Sequence, residues 1–400
     1  MSKDRKTAVM YGAGNIGRGF IGQVLHDSGY EVVFIDIDRD VVSALNKQGS
    51  YIQLIVDDEN TEHREITGVR AVDGQINEEV AREIASCEIM AVSVGAAVLP
   101  RIAPIIADGI KLRVLPLNIL VCENLIHAPD VLRDYVSGYL TDTSILSRVG
   151  FVGATIGRMV PVLPPEQRAS DLTFIAVERF CELFLDGDAL IQPMPKLQHV
   201  TLCSPFSFEE GKKLYIHNMG HALAAYFGYL KGYTFIWQAI EDKDIYNQVH
   251  TAMSVTAEAL ARKYKEDRTK LSLYVEDLLK RFANKGLGDT IARVGGDPMR
   301  KLSSGDRLIG SVDLCAKEQT DYTPILSGIA AALHFKQKND PSSNLMHEQL
   351  IKNGTSDFLL KHCRLSKPDA ERCVAMFEEN SYSTDTNSSS RGDTSTKRSR

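Results

Sequence analysis

The chain has 400 residues, of which 44% are hydrophobic and 24% are charged, a balance typical of a globular protein with a large buried core. Its formal net charge is -6, and its lysines and arginines are scattered, so no basic stripe is present to bind a nucleic acid or a membrane surface. We therefore expect the binding partner to be a small molecule.

The expected compartment is the cytoplasm. The seven cysteines are widely spaced and form no CxxC pair, which is typical of reduced thiols. No apolar run is as long as a membrane span. The polar segment 1–6 is followed by an apolar stretch that is typical of a strand and not of a signal peptide.

The first half of the chain is predicted to form a parallel, doubly wound sheet. Close to the N-terminus the sequence alternates a strand, a glycine turn, a helix and a second strand, which is a βαβ unit. Further strands are predicted at 88–94, at 112–117 and around 119–122, with helical periodicity between them. We assign residues 1–205 to an N-terminal α/β domain of the Rossmann type.

Helical periodicity dominates the second half of the chain from residue 212 onward. Residues 206–378 are therefore predicted to form a mostly α-helical domain that carries the substrate site and the catalytic residues. Residues 379–400 are rich in serine, threonine and charge and contain little that could be buried, so we predict a disordered tail there.

The turn after the first strand reads GAGNIG, with glycines at Gly12, Gly14 and Gly17. In a dinucleotide site the first glycine permits a tight turn, the second lets the backbone approach a pyrophosphate, and the third lets the helix pack closely on the strand. The diphosphate then lies on the N–H groups at the positive end of the helix. Asn15 and Ile16 belong to the same turn and are predicted to contact the coenzyme.

Asp36 ends the second strand about twenty residues after the glycine turn, where a carboxylate can accept hydrogen bonds from the adenosine ribose diol. The same carboxylate would repel a 2′-phosphate, so the sequence predicts NAD as the cofactor, a preference that Arg39 is close enough to soften. Gly95 follows a later strand, and its backbone is predicted to lie beside the ribose on the nicotinamide side of the coenzyme. The alternative is that the glycines only make a turn and that Asp36 is a solvated strand end.

Two dehydrogenase classes are excluded by their motifs. None of the tyrosines is followed four residues later by a lysine, as short-chain dehydrogenases require. The cysteines are isolated from one another and from the histidines, whereas a zinc alcohol dehydrogenase needs a cluster of such ligands. A mechanism without a metal, in which a side chain acts as the base, is left.

The segment KLYIHNMGH supplies a candidate base. In an α-helix, Lys213, His217, Asn218 and His221 fall within an arc of about 140° on one face. A lysine can act as a general base when desolvation and nearby positive charge lower its pKa toward neutrality. The alternative for each residue taken alone is an ordinary helix-surface charge, amide or half-buried imidazole.

Five segments together resemble the polyol-specific long-chain dehydrogenases, and the likeness runs from about residue 7 to residue 377. These segments are GAGNIGRGFIG at 12–22, CENLI at 122–126, GRMVP at 157–161, KLYIHNMGHA at 213–222 and RVGGDPMRKLSSGDRLIG at 293–310. The resemblance implies an enzyme that is competent as a single chain and that oxidises a sugar alcohol reversibly with NAD.

The resemblance also implies the roles of four residues. Lys213 would be the general acid and base, Asn124 and Asn218 would bind the reacting oxygen, and His221 would position the substrate. The implied substrate is mannitol 1-phosphate: neutral Lys213 takes the proton of the C5 hydroxyl while the hydride moves to NAD, giving fructose 6-phosphate.

Two motifs depart from the family pattern. No aspartate stands just ahead of Arg158 in GRMVP, and Gly296 stands in VGGDP where an arginine is more usual. Arg158 is a candidate for substrate binding, and Arg300 and Lys301 are the candidates to hold a phosphate, because a phosphate dianion needs fixed cations. The alternative is that Arg300 and Lys301 belong to a surface loop and pair with nearby aspartates.

Two other functions stay open. One is a related oxidoreductase that acts on an unphosphorylated polyol or on a hexuronate, which depends on the charge of the pocket. The other is a nucleotide-sensing module that has lost turnover. The presence of Lys213, both asparagines and His221 argues against a sensor, because a sensor needs no proton-transfer residue.

Overall fold

The computed structural model describes residues 6–57, 61–125, 127–161 and 171–390, with side chains described as far as residue 380. The chain divides into two compact units, Met1–Glu210 and Gly211–Arg400. This division falls close to residue 205, where the sequence predicts the boundary. No helix in the described ranges is both long enough and apolar enough to cross a lipid bilayer.

The strands that the structure describes lie in the first unit. They are β1 (Thr7–Tyr11), β2 (Glu31–Asp36), β3 (Ser50–Val56), β4 (Thr61–Thr67), β5 (Val69–Asp73), β6 (Ile89–Val92), β7 (Leu117–Val121), β8 (Val149–Thr155), β9 (Ile175–Glu178), β10 (Leu183–Asp186) and β11 (Val200–Cys203). Eight of them form one sheet in the order β11-β10-β8-β7-β6-β1-β2-β5, and the other three form a sheet in the order β4-β3-β9.

The large sheet is parallel from β5 to β8, whereas β10 joins β8 in the antiparallel sense. Successive side chains of a strand point to opposite faces. Accordingly, Ala8 and Met10 of β1 belong to one buried apolar cluster, and Val9 and Tyr11 belong to another. A parallel sheet buried on both faces is the doubly wound Rossmann arrangement, so the predicted fold class is confirmed.

Helices connect these strands. A π-helix spans Gly17–Ile21, the α-helices are α1 (Gly22–Asp27), α2 (Arg39–Gln48), α3 (Asn77–Ser86), α4 (Leu99–Leu112), α5 (Ala128–Ser137) and α6 (Phe206–Gly211), and 3₁₀ turns span Ala96–Val98 and Thr143–Arg148. The α2 helix has a regular start and end, because the Asp38 side chain accepts from the backbone N–H groups of Asp40 and Val41, and Gly49 ends it with φ 64°.

The strand predicted at 112–117 is wrong. Leu112 is the last residue of α4, and β7 begins only at Leu117. Leu112, Val114 and Leu115 are 61%, 82% and 72% exposed. This apolar run is therefore not buried in the core. Pro116, which lies in it, has no N–H group that could donate a hydrogen bond to a neighbouring strand.

The second unit is helical, as the sequence predicts. A π-helix spans Lys212–Asn218, and the α-helices are α7 (Met219–Leu230), α8 (Ile236–Glu241), α9 (Lys243–Tyr264), α10 (Arg268–Phe282), α11 (Ile291–Gly295), α12 (Pro298–Lys301), α13 (Ile309–Lys317), α14 (Thr323–Ala332), α15 (Pro341–Asn353), α16 (Thr355–Lys361) and α17 (Lys367–Ser390), with a 3₁₀ turn at Lys285–Leu287. Phe235 and Thr290 form an isolated antiparallel bridge. The α7 helix is apolar on nearly every side and is buried through most of its length, as expected of a helix in the centre of a bundle.

The last helix differs from the prediction for the C-terminus. The α17 helix continues to Ser390, so the tail predicted to be disordered from residue 379 begins inside a helix. Residues 391–400 of that predicted tail lie outside the described residues.

Candidate active site

The glycine turn after β1 has the geometry that a dinucleotide site requires. Gly12 has φ +103°, and a Cβ at Gly12 would overlap the carbonyl oxygen of Ser93. A Cβ at Gly17 would overlap the carbonyl oxygen of Gly12. At Gly14, by contrast, an added Cβ would meet no atom within 4 Å. The first and third glycines thus allow close backbone packing, and the second leaves open space for a ligand.

Arg18 belongs to the helix that follows this turn and connects it to the turn and to Leu172. The Arg18 side chain is buried, and its Nε donates to the carbonyl oxygen of Ala13 at 2.6 Å and its Nη1 to that of Leu172 at 2.7 Å. Gly14 and Asn15 are exposed and Ile16 is half-buried. The start of the helix is therefore held rigidly and remains accessible, which suits anion binding by its N–H groups. Arg18 was missed from sequence.

The carboxylate of Asp36 lies against the glycine turn. Its Oδ2 accepts from the Ala13 N–H at 2.6 Å, and its Oδ1 accepts from the Asp38 N–H at 3.0 Å. Arg39, in contrast, donates through Nε to Asp73 Oδ2 at 2.9 Å and through Nη2 to Gln75 at 2.9 Å. Because Arg39 is engaged by Asp73, the charge beside the glycine turn is that of Asp36.

A half-buried carboxylate connects two loops at the ends of β6 and β7. Glu123 Oε1 accepts from the backbone N–H groups of Val94 and Gly95 at 2.7 Å and 2.8 Å. Burial raises the pKa of Glu123, and these two bonds oppose the rise. Gly95 has φ +91° with open space around it, and Asn124 follows Glu123 as an exposed residue. Glu123 was missed from sequence, although an acid directly before the predicted Asn124 was a usable signal.

The helix that carries Lys213 is a π-helix and not the predicted α-helix. In a π-helix the backbone hydrogen bonds join residues five apart, so residues i and i+5 lie on one face. Lys213 Nζ accordingly donates to Asn218 Oδ1 at 2.8 Å. The α-helical prediction separated these two residues more widely than the structure does. Single π turns are frequent at functional sites.

The amide of Asn218 is left with a donor available. Asn218 is buried, and its Oδ1 accepts the hydrogen bond from Lys213 Nζ. Its Nδ2 is also buried and has no hydrogen-bond partner among the described residues. A buried N–H group without a partner is costly, so the site favours a ligand oxygen there. His217 lies within the same helix, and burial, with the positive charge of Lys213, holds its pKa well below the usual value.

His221 is positioned by an aromatic ring and a carboxylate. Its ring stacks on Phe282 with centroids 4.7 Å apart, and its Nε2 lies 3.3 Å from Asp289 Oδ2. Burial lowers the pKa of His221, and the Asp289 carboxylate opposes this shift. Asp289 is itself 5% exposed and pairs with Arg293, and it was missed from sequence.

Arg158 is bonded largely within the first unit. It is 3% exposed, and its Nε donates to the carbonyl oxygen of Glu178 at 2.9 Å. Its Nη1 donates to the carbonyl oxygen of Gly19 at 2.9 Å and to Gln23 Oε1 at 2.7 Å. Arg158 thus ties β9 to the helix after the glycine turn inside the first unit. Its Nη2 is buried and has no hydrogen-bond partner among the described residues, so the predicted contact with the substrate stays a prediction.

Arg300 is a surface residue paired with aspartates, which is the alternative to phosphate binding that the sequence left open. It is exposed, its Nε lies 2.6 Å from Asp297 Oδ2, and its Nη1 lies 3.3 Å from Asp306 Oδ2. Lys301 differs, because it is 5% exposed and its Nζ donates to the carbonyl oxygen of Gly296. Burial and the charges of neighbouring arginines lower the pKa of Lys301 to about 7.

A glycine turn that can hold a dinucleotide, at the start of a doubly wound sheet, defines the class of a nucleotide-dependent oxidoreductase. The comparison with known families agrees. Residues 6–199 match the mannitol dehydrogenase Rossmann domain, and residues 206–376 match the mannitol dehydrogenase C-terminal domain. The chain belongs to the mannitol dehydrogenase family, which confirms the resemblance found in the sequence.

Individual relatives are similar over nearly the whole chain. The mannitol-1-phosphate 5-dehydrogenase of Shouchella clausii (strain KSM-K16) is 35% identical over 366 residues, which cover 90% of this chain and 96% of the relative. The solved Pseudomonas fluorescens mannitol 2-dehydrogenase, a ternary complex with NAD and D-mannitol, has 17% identity and a TM-score of 0.75, covering 96% of this chain and 93% of its own. A substrate-free D-sorbitol dehydrogenase has 17% identity and a TM-score of 0.76, covering 95% and 94%. These two structures share the fold.

Proposed function

We propose that this protein interconverts D-mannitol 1-phosphate and D-fructose 6-phosphate with NAD, and that Lys213 is the general acid and base. The hydrogen bond from Lys213 to Asn218 carries the proposal, because it pairs a proton-transfer group with an amide whose N–H is left to bind an oxygen. The phosphorylated substrate is supported by the 35% identity to the Shouchella clausii enzyme.

The residues around the glycine turn fit NAD. Gly14 leaves open space next to the exposed start of the helix, and Asp36 places a carboxylate against the same turn. We assign the pyrophosphate to the backbone of Gly12, Gly14 and Gly17 with Asn15 and Ile16, the adenosine ribose to Asp36, and the nicotinamide-side ribose to Gly95. When it is bound, NAD supplies the hydride acceptor.

The chain's own residues handle the proton and the developing charge. In the oxidation direction, neutral Lys213 accepts the proton of the C5 hydroxyl of the substrate, and in reduction the protonated lysine returns it. The Nδ2 of Asn218 donates to the oxygen as it gains negative charge, and Asn124 is assigned the same task. His221, held by Phe282 and Asp289, orients the substrate through its imidazole.

An unphosphorylated polyol is the second candidate substrate. One observation favours it: Arg300, one of the two cations predicted to anchor a phosphate, is already paired with Asp297 and Asp306. Lys301 remains a proposed contact of the substrate.

We place the reaction in the cytoplasm, because all seven cysteines are free thiols.

The deciding experiment measures NADH oxidation by the purified protein with fructose 6-phosphate, fructose and a hexuronate ketose side by side. We expect kcat/KM to be highest for fructose 6-phosphate. Equal efficiency with fructose would refute the phosphorylated substrate. Tight NADH binding with no turnover of any of the three would instead indicate a binding module.

A further inference from the structure

The loop that follows α12 is fastened to the π-helix that carries Lys213. The hydroxyl of Tyr215 donates to the carbonyl oxygen of Gly305 at 3.4 Å. The hydroxyl of Ser311 donates to the backbone carbonyl oxygen of Tyr215 at 3.1 Å. Gly310 packs so tightly on the Tyr215 ring that an added Cβ would overlap the ring. The residues of this loop therefore keep a constant position relative to Lys213, because Lys213 and Tyr215 belong to the same turn.

Arg307 lies in this loop and is a buried cation with spare donors. It is 8% exposed, and its Nε donates to Asp306 Oδ1 at 2.9 Å. Its two Nη nitrogens make no hydrogen bond or ion pair to the residues that the structure describes. A guanidinium group has five N–H donors, and neither Nη nitrogen of Arg307 is among the buried side-chain atoms without a partner, so both are accessible to a ligand. An anion could therefore bond to both Nη nitrogens while Nε stays bonded to Asp306.

The surroundings of Arg307 carry an excess of positive charge. Asp306, the anion that contacts Arg307, is shared with Arg300. Buried Lys301 lies close enough for the charge of Arg307 to lower its pKa, after burial itself. Arg307 also contributes to the low pKa of His217, by less than burial, Lys213, Arg281 and His221 do. The charge of Arg307 thus acts both on Lys301, in its own segment, and on His217, in the helix of the proposed base.

We propose that Arg307 is the fixed cation that binds the phosphate of the sugar phosphate, and that it makes the protein select phosphorylated over unphosphorylated substrates. This inference rests on the function proposed above and names the residue responsible for its specificity. The planar guanidinium offers two parallel N–H donors, which match two phosphate oxygens. Arg300 cannot do the same without giving up its two aspartates, and Lys301 strengthens the site by binding a proton when the dianion arrives.

The test compares Arg307→Ala with Arg300→Ala, and Arg262→Ala serves as the control, because Arg262 pairs with Glu258 on α9. We expect Arg307→Ala to lower kcat/KM for fructose 6-phosphate roughly tenfold to a hundredfold, mostly through KM, as when a charge-assisted contact is lost. Activity with fructose should change far less. Calorimetric binding of fructose 6-phosphate in the presence of NAD, a pair that cannot react, should weaken in parallel, whereas the other two variants should resemble the wild type.

The outcomes separate this inference from the proposed function. If the wild type handles fructose and fructose 6-phosphate equally, the proposed substrate fails and the inference fails with it. If the wild type prefers fructose 6-phosphate and Arg307→Ala keeps that preference, or Arg300→Ala loses it, only the inference is overturned. Should Arg307→Ala not fold, Arg307→Lys is the deciding variant, because it keeps the positive charge and loses the planar guanidinium with its parallel donors. A raised KM with unchanged kcat supports the inference, and a wild-type KM overturns it.

Discussion

Replacing Asn218 by aspartate separates the two functions of its amide. The variant keeps an oxygen acceptor for Lys213 Nζ, which lies 2.8 Å from Oδ1 in the wild type, and it loses the buried Nδ2 donor. Removal of one preorganised donor to a developing oxyanion lowers kcat by about 10²–10³-fold, or about 2.7–4 kcal/mol of barrier. We expect at least this loss, because the new carboxylate also repels the negative charge on the substrate oxygen.

The same substitution moves the pH dependence in a direction that can be worked out. A carboxylate at hydrogen-bond distance stabilises the protonated lysine and raises its pKa. Oxidation requires neutral Lys213, so the oxidation rate increases as the lysine loses its proton. This increase should occur at higher pH in Asn218→Asp than in the wild type. Asn218→Ala is the matched comparison, because it loses the donor without adding a charge and should not show that upward displacement.

The assay is the initial rate of NADH formation from mannitol 1-phosphate at saturating substrate across a series of pH values. NADH binding by fluorescence is the control, and it should be unchanged because the glycine turn belongs to the first unit. A kcat for Asn218→Asp within about threefold of the wild type would refute the role of Nδ2. A loss confined to KM would demote Asn218 to a contact of the ground state.

Four further predictions concern both units. Lys213→Ala should lower kcat by about 10²–10⁴-fold with NADH binding retained, and near-normal turnover would contradict the assignment of the base. Asp36→Asn should raise the ratio of kcat/KM with NADP to that with NAD, and an unchanged ratio would show that the carboxylate does not read the ribose 2′ position. Glu123→Ala leaves the N–H groups of Val94 and Gly95 without their acceptor, so we expect NADH affinity to fall roughly tenfold or more, measured by fluorescence titration. Burial holds the pKa of His217 below its unfolded value, so the unfolded chain binds the extra proton first, and the free energy of unfolding should fall by up to about 1.4 kcal/mol per pH unit below about pH 6.5. Urea titrations of the wild type and His217→Asn check this, since the variant should show a flatter dependence.

Features that depend on residues close together in the sequence could be predicted from it. The roles of the three glycines follow from steric limits on a few consecutive residues, and the structure gives each of them the expected space. The alternation of strands and helices in the first half, and the helical second half, follow from hydrophobic periodicity. Periodicity failed at Leu112, Val114 and Leu115, because an apolar run alone does not indicate whether the core receives it.

Contacts between distant segments decided the rest. The sequence identified Lys213 and Asn218, but only the folded chain decided that they are joined by a π turn, because α and π turns differ by one residue in their hydrogen bonds and the packing of Tyr215 on Gly310 is not visible in the sequence. The arginines show the same limit. By residue type Arg158 and Arg307 are equal candidates to bind an anion. In the structure Nε and Nη1 of Arg158 donate to Gly19, Gln23 and Glu178, and its Nη2 is buried without a partner among the described residues, whereas neither Nη nitrogen of Arg307 bonds to those residues. Which buried cation retains donors for a ligand depends on partners far away along the chain, and these are brought near only by the tertiary structure.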